Sequence, residues 1–185
     1  MSHATRQPAP RRRAFTLTEA AIVLGITGIV LAAIWGAVNA TTRNKNINQA
    51  VTNMALVVQN MRTLYRSQSG FANLNVDITP AMVTAGIFPS SMLTDATPPT
   101  PISPWGTAVT IRSVTATTFY VVFNSTLPTD DCIGLVSRAI GPGRDRGLSG
   151  IVTSANNFNA AALTTLEPAG IAPCTWVTFI YNIKG

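Results

Sequence analysis

The sequence predicts an α+β protein in which one long N-terminal helix packs through its outer half against a C-terminal head with an antiparallel β-sheet. Three observations carry this. Residues 20–38 are apolar apart from Thr27, and beyond Arg43 apolar residues recur every three or four positions to Tyr65, so a membrane-length segment passes into an amphipathic helix. Residues 107–114 and 117–123 are rich in β-branched and aromatic side chains and are separated by a short polar gap, the pattern of an antiparallel pair; residues 175–183 repeat it near the end. The only two cysteines, Cys132 and Cys174, bound a long stretch of the C-terminal half.

The helix opens with an unusual charge pattern. Arg11-Arg12-Arg13 precede Ala14-Phe15-Thr16-Leu17-Thr18-Glu19, and the apolar run follows directly. An unpaired carboxylate inside such a run costs about 2 to 3 kcal/mol or more, so Glu19 needs a partner. A chain cut just before Phe15 carries a free α-ammonium that can serve. As a helix, residues 20–38 span about 28 Å, enough to cross a bilayer. Gly28, Ala32, Gly36 and Ala40 fall at four-residue intervals, a row of small side chains that lets a second helix approach closely. Glycine and alanine are also simply frequent in membrane helices.

Beyond Arg43, the stripe Ile47, Val51, Met54, Val58, Met61 and Tyr65 predicts continuation to about Ser67 and a stop near Gly70. Thr79-Pro80, running to Gly86, predicts a short helix with Thr79 as N-cap and Pro80 at its first position. Prolines 98, 99, 101 and 104 mark a loop. Residues 132–140 fit a short helix or a strand, 141–150 a glycine-rich loop and 151–154 a short strand. The stretch between the cysteines therefore reads as loop-rich, with little core of its own.

The net charge of +6 is a matter of location. Four of the 13 basic residues, Arg6, Arg11, Arg12 and Arg13, lie in residues 1–14, so without that segment nine basic side chains face seven acidic ones. The basic cluster thus sets topology, with a cytoplasmic N-terminus and an external head, and leaves no nucleic-acid footprint. In an external compartment the two cysteines read as a disulfide; two buried free thiols are the alternative. His3 is the only histidine, which removes triads and histidine metal sites from everything after the leader. Gly147-Leu148-Ser149-Gly150 is no nucleophile elbow, and Gly141-Pro142-Gly143 lacks the lysine and hydroxyl residue of a phosphate-binding loop. Asp130-Asp131 supply only two carboxylates toward a calcium set and read as facing solvent. Asn39-Ala40-Thr41 and Asn124-Ser125-Thr126 match the glycosylation sequon. No catalytic residue, cofactor or metal site is expected.

The segment from Ala14 to Glu19, with the apolar run to Trp35, resembles the class III signal of type IV pilins and pseudopilins. Ala14 stands where that family usually has glycine, and Thr18 where an aliphatic residue is usual. The resemblance implies that a prepilin peptidase cleaves between Ala14 and Phe15, that Phe15 is N-methylated, and that Glu19 registers subunits during assembly. It implies a leader at residues 1–14, a long helix at 15–68 whose part 15–38 forms the membrane span and filament core, and a head at 69–185. The partners it implies are further copies of the chain, the peptidase, the inner-membrane assembly machinery and, before assembly, membrane lipid. The expected course runs from a single-pass inner-membrane precursor to an extracellular pilus. Ala85-Gly86-Ile87-Phe88-Pro89, Pro104-Trp105-Gly106 and the late cysteine pair look like the type IVb arrangement, a curved antiparallel sheet over the helix with a disulfide-bounded outer region.

Other readings compete. Minor pilins and type II secretion pseudopilins share the same signal. Arg12-Arg13-Ala14-Phe15-Thr16-Leu17 also resembles a twin-arginine export signal, and Val38-Asn39-Ala40 a signal-peptidase site that would release a soluble domain near Thr41. Against that last reading, the apolar run is roughly twice the usual 7 to 15 residues of a signal core, and it contains Glu19.

Overall fold

The computed structural model describes residues 16–124, 126–159 and 168–184. The chain divides into two compact units, Met1–Thr41 and Thr42–Gly185. Helix α1 (Leu17–Leu64) contributes its first part to one and its last part to the other.

In the first unit every described side chain is exposed, including Leu24, Ile29, Leu31 and Trp35. This is the expected state of a helix that is apolar all round and whose natural solvent is lipid or other apolar helices. By length and composition it is able to cross a membrane.

In the second unit α1 is followed by α2 (Thr79–Thr84), a 3₁₀ turn (Ser90–Met92), β1 (Val109–Ser113), β2 (Thr118–Phe123), α3 (Thr129–Ala139), β3 (Leu148–Thr153), β4 (Asn157–Asn159), α4 (Pro168–Ile171) and β5 (Val177–Asn182). The five strands form one sheet in the order β1-β2-β5-β3-β4, and every neighbouring pair is antiparallel. Alternation decides which face is buried. The rung Ile111, Val121, Phe179, Ile151 points inward, as does Ser113, Phe119, Tyr181, Leu148, and all eight side chains are buried. The seven apolar ones join one core with Ile47, Ala50, Met54, Val57, Val58 and Met61 of α1. Aromatic rings run through that core, with Tyr65 against Phe71, Phe71 against Phe119 and Phe119 stacked on Tyr181.

The amphipathic stripe is real and broader than its period suggests. Ile47, Met54, Val58 and Met61 are buried as predicted; Ala50, Val57 and the polar Asn53 join them, while Val51 and Tyr65 are half-buried. The helix stops at Leu64, three residues before the expected end. The chain leaves it because Phe71 N–H donates to Ala116 O at 2.8 Å, which pins the connection to the β1–β2 turn. Gly70 makes that possible, since at φ 148° a Cβ there would lie 2.0 Å from Ala116 O.

Three local readings need correction, and one open choice is settled. Thr79 lies inside α2 and does not cap it; its hydroxyl instead receives Ile111 N–H at 2.8 Å, while Asp77 Oδ1 takes Thr79 N–H at 2.8 Å. Residues 132–140 belong to a helix, because a stripe of Cys132, Leu135, Val136 and Ala139 buries one face at helical spacing. The glycine-rich stretch ends in strand β3, which begins at Leu148. The segment between the cysteines is not poor in core: β3 lies between β5 and β4, and Leu135, Val136, Leu148, Ile151 and Ile171 are all buried. Its hydrophobic residues are spread thinly in sequence, and only strand pairing gathers them.

Candidate assembly site and its supports

Ala14 and Phe15 lie outside the described residues. The site begins at Thr16, whose backbone N–H and hydroxyl both donate to Glu19 Oε2, at 3.0 and 2.9 Å, while Glu19 N–H donates back to Thr16 Oγ1 at 3.3 Å. This is a reciprocal cap on the first turn of α1, built from Thr and Glu three residues apart. It answers part of the question the sequence posed: the carboxylate is held by its own helix start. The sequence contained the signal, since Thr-x-x-Glu before an apolar run is a helix-start pattern. A negative charge at this helix end also meets the positive end of the macrodipole.

Gly28, Ala32 and Gly36 are exposed, and a Cβ built at Gly28 or Gly36 meets nothing within 4 Å. Nothing within the described chain uses the close approach that these residues permit. Thr27 and Thr41 return their hydroxyls to the carbonyls of Val23 and Ala37, at 2.7 and 2.9 Å, so neither presents an unsatisfied polar group to an apolar surrounding.

The head is tied together by a disulfide and two polar nodes. Cys132 of α3 and Cys174, just before β5, are joined across 42 residues with their Cα atoms 5.7 Å apart. Beside them Asp131 is buried, contrary to its reading as solvent-facing. It accepts the Trp105 indole N–H at 2.8 Å and Arg43 Nε–H at 2.6 Å, and Arg43 reaches Asp130 at 3.3 Å. Both carboxylates are therefore held by an arginine, and their partners Arg43 and Trp105 come from two distant stretches that no local pattern connects to them. The second node joins the end of α1 to the loop before β3. Arg62 grips Asp145 through two bonds of 2.7 and 2.6 Å, and Asp145 also receives Gly147 N–H at 2.7 Å. These bonds, that from Arg62 foremost, hold the Asp145 carboxyl below the usual carboxylate range. A Cβ at Gly147 would lie 2.0 Å from an Arg62 nitrogen, so glycine keeps this approach open. Burial raises the Tyr181 hydroxyl well above its ordinary value.

Comparison with known families bears directly on these features. The prokaryotic N-terminal methylation motif matches residues 9–35, and the bundlin family matches residues 39–171. The chain belongs to the bundlin family of type IV pilins. A search of curated proteins finds no match to the chain. Membership makes it a subunit of a structural protein family, with the α+β fold of a long N-terminal helix, an antiparallel sheet and one disulfide. The methylation motif, together with the apolar helix, fits an inner-membrane single-pass pilin precursor that becomes part of a surface pilus.

Proposed function

We propose that the precursor is cut between Ala14 and Phe15, that Phe15 is N-methylated, and that the mature chain polymerises through residues 15–38 into a surface filament. Its partners are then prepilin peptidase, the inner-membrane assembly machinery and further copies of itself. The observation that carries this is the methylation-motif match across residues 9–35, which contains both the cleavage bond and Glu19. In this mechanism Glu19 of an entering subunit pairs with the Phe15 ammonium of a subunit already in place. The cap from Thr16 occupies Oε2 and leaves Oε1 for that partner. In an apolar setting such a pair acts chiefly by penalising wrong registers, because a buried charge left alone costs more than either neutralised partner. Gly28, Ala32 and Gly36 supply the close helix contact that accompanies it.

The test is the chemistry of the N-terminus. Mass spectrometry of sheared surface fibres should find a chain that begins at N-methylphenylalanine 15, and Glu19→Ala should be processed normally yet give few or no fibres. A mature chain that begins near Thr41, or normal fibres from Glu19→Ala, overturns the mechanism.

A further inference from the structure

Charge is unevenly spent in the head. Asp130 and Asp131 are paired with Arg43 and Asp145 with Arg62, while Asp77 accepts Thr79 N–H and lies opposite Arg112. Asp95 is exposed and makes no bond or ion pair among the described residues. It stands at the start of a tight loop. Thr94 N–H donates to Thr100 O at 3.1 Å and Thr100 N–H to Thr94 Oγ1 at 3.0 Å, which closes the base and leaves Asp95, Ala96, Thr97 and Pro98 exposed at the tip. A tip fixed in advance loses little freedom on binding.

The complementary charge lies on another side of α1. An open cavity of about 590 Å³ is lined by Gln59, Arg62, Tyr65, Arg66, Asp145 and Lys184, among others. Arg62 and Asp145 neutralise one another, but the Arg66 guanidinium, the Lys184 ammonium, the Tyr65 hydroxyl and the Gln59 side-chain amide meet no partner among the described residues. Unspent donors without a free acid beside them are the chemistry that receives a carboxylate. Arg138 and Arg144 line a neighbouring cavity of about 270 Å³ that shares Ala55 and Asp145 with the first, so the basic character extends along this flank.

Helical period keeps loop and cavity apart. The stretch leading to the loop is held on α1 by Asn60, which donates to Ile87 O at 2.9 Å, and by Asn53, whose Oδ1 receives the Ser91 hydroxyl at 3.5 Å. At 3.6 residues per turn, those two positions lie about 140° round the helix from Ala55, Gln59 and Arg62. The loop and the cavity of one chain therefore face different neighbours. A contact that joins them is heterologous, with a loop left over at one end and a cavity at the other, so it propagates from copy to copy.

We propose that the cavity beside the end of α1 is a socket for the Asp95 loop of a neighbouring copy, with Arg66 and Lys184 clasping the carboxylate and Tyr65 and Gln59 as further donors. The contact deepens the filament reading by joining heads as well as helices, and it rests on that reading for its setting. A cysteine pair tests it with every charge kept: Ala96→Cys at the tip combined with Thr63→Cys at the cavity. The variant is oxidised both in sheared fibres and as full chain concentrated in detergent micelles, so there is a readout whether or not fibres form.

In both preparations the pair should give a ladder of linked chains on a non-reducing gel, and neither single variant should go beyond a dimer. Asp95→Lys and Arg66→Glu should each lower fibre yield by about fivefold or more, because like charges then meet across the contact. Combined, they should recover at least about half of the loss, which a misfolded head would not. Arg112→Glu, the same charge change outside the cavity, should leave the yield within about twofold. Parent fibres without a ladder from the cysteine pair overturn the contact and leave the filament reading standing. Absence of parent fibres overturns the filament reading, and the ladder in micelles then decides the contact alone. Charge reversals without effect, or a combined variant no better than the single ones, also overturn it. So does inorganic phosphate that raises the thermal transition through Arg66 while the ladder is missing, which makes the cavity a site for a free anion.

Discussion

The two parts of α1 obey different rules although they belong to one helix. Residues 20–38 are apolar apart from Thr27 and exposed throughout; residues 42–64 are amphipathic, with Ile47, Ala50, Met54, Val57, Val58 and Met61 buried in the core of the head. The first part has no reason to choose a face within its own chain, so its specificity must come from what surrounds it: lipid, or other copies. The second part has its face fixed by period, and its polar side chains take definite jobs, such as Asn60 donating to Ile87 O at 2.9 Å and Arg62 gripping Asp145. Helical content is thus no guide to what a segment is for. The distribution of apolar residues around the helix is.

The largest expected effect lies in the head, away from the helix. Replacing both Cys132 and Cys174 by alanine opens a closure of 42 residues and should cost about 4 kcal/mol in the chain-entropy treatment. Chemical denaturation of the head checks it, and the inner part of α1 should keep its helicity in micelles. A loss shared by both parts would erase the division between them.

Next comes a matched pair on the helix itself. Met61→Ala removes a fully buried side chain and should destabilise the head by about 3 kcal/mol, whereas Ile29→Ala, on the exposed apolar part, should change head stability by no more than about 0.5 kcal/mol. Equal effects in the same denaturation assay would show that the two parts are one folding unit.

The smallest effect sharpens the comparison at the polar node. Asp145 titrates below its ordinary range in the folded chain, so its contribution is present above the unfolded carboxylate value near 4 and is lost as pH falls through the lowered folded value. Both partners are partly exposed, so Asp145→Asn should cost about 1 kcal/mol at neutral pH. That difference should vanish in acid. A constant gap between variant and parent from pH 7 to strongly acid solution would show that the carboxylate charge contributes nothing.

Much of this was legible before folding was considered. The membrane-length run, the amphipathic stripe, the β1–β2 pair and the strand at β5 all announce themselves through periodicity, which reports how a local segment meets an interface. The same logic reached Glu19, because a charge in an apolar run is conspicuous in one dimension, and the Thr16 cap was within reach of the same reading. It failed where burial depends on distant chain. Asp131 looked like a solvent carboxylate because its partners, Trp105 and Arg43, are remote in sequence. The stretch between the cysteines looked coreless because β3 gains its inward face only when β5 pairs beside it.

By itself, then, the sequence determined the class of the molecule: a topogenic basic cluster, an apolar helix bearing a single acid, and a head able to form a sheet. Composition and period are sufficient for that, since each is a property of neighbouring residues. Tertiary structure alone decided the strand order, the burial of Asp131, the Arg62–Asp145 grip and the meeting of Arg66 and Lys184 at one cavity. Those depend on long-range register, where shifting a strand by one residue exchanges every side chain between core and solvent.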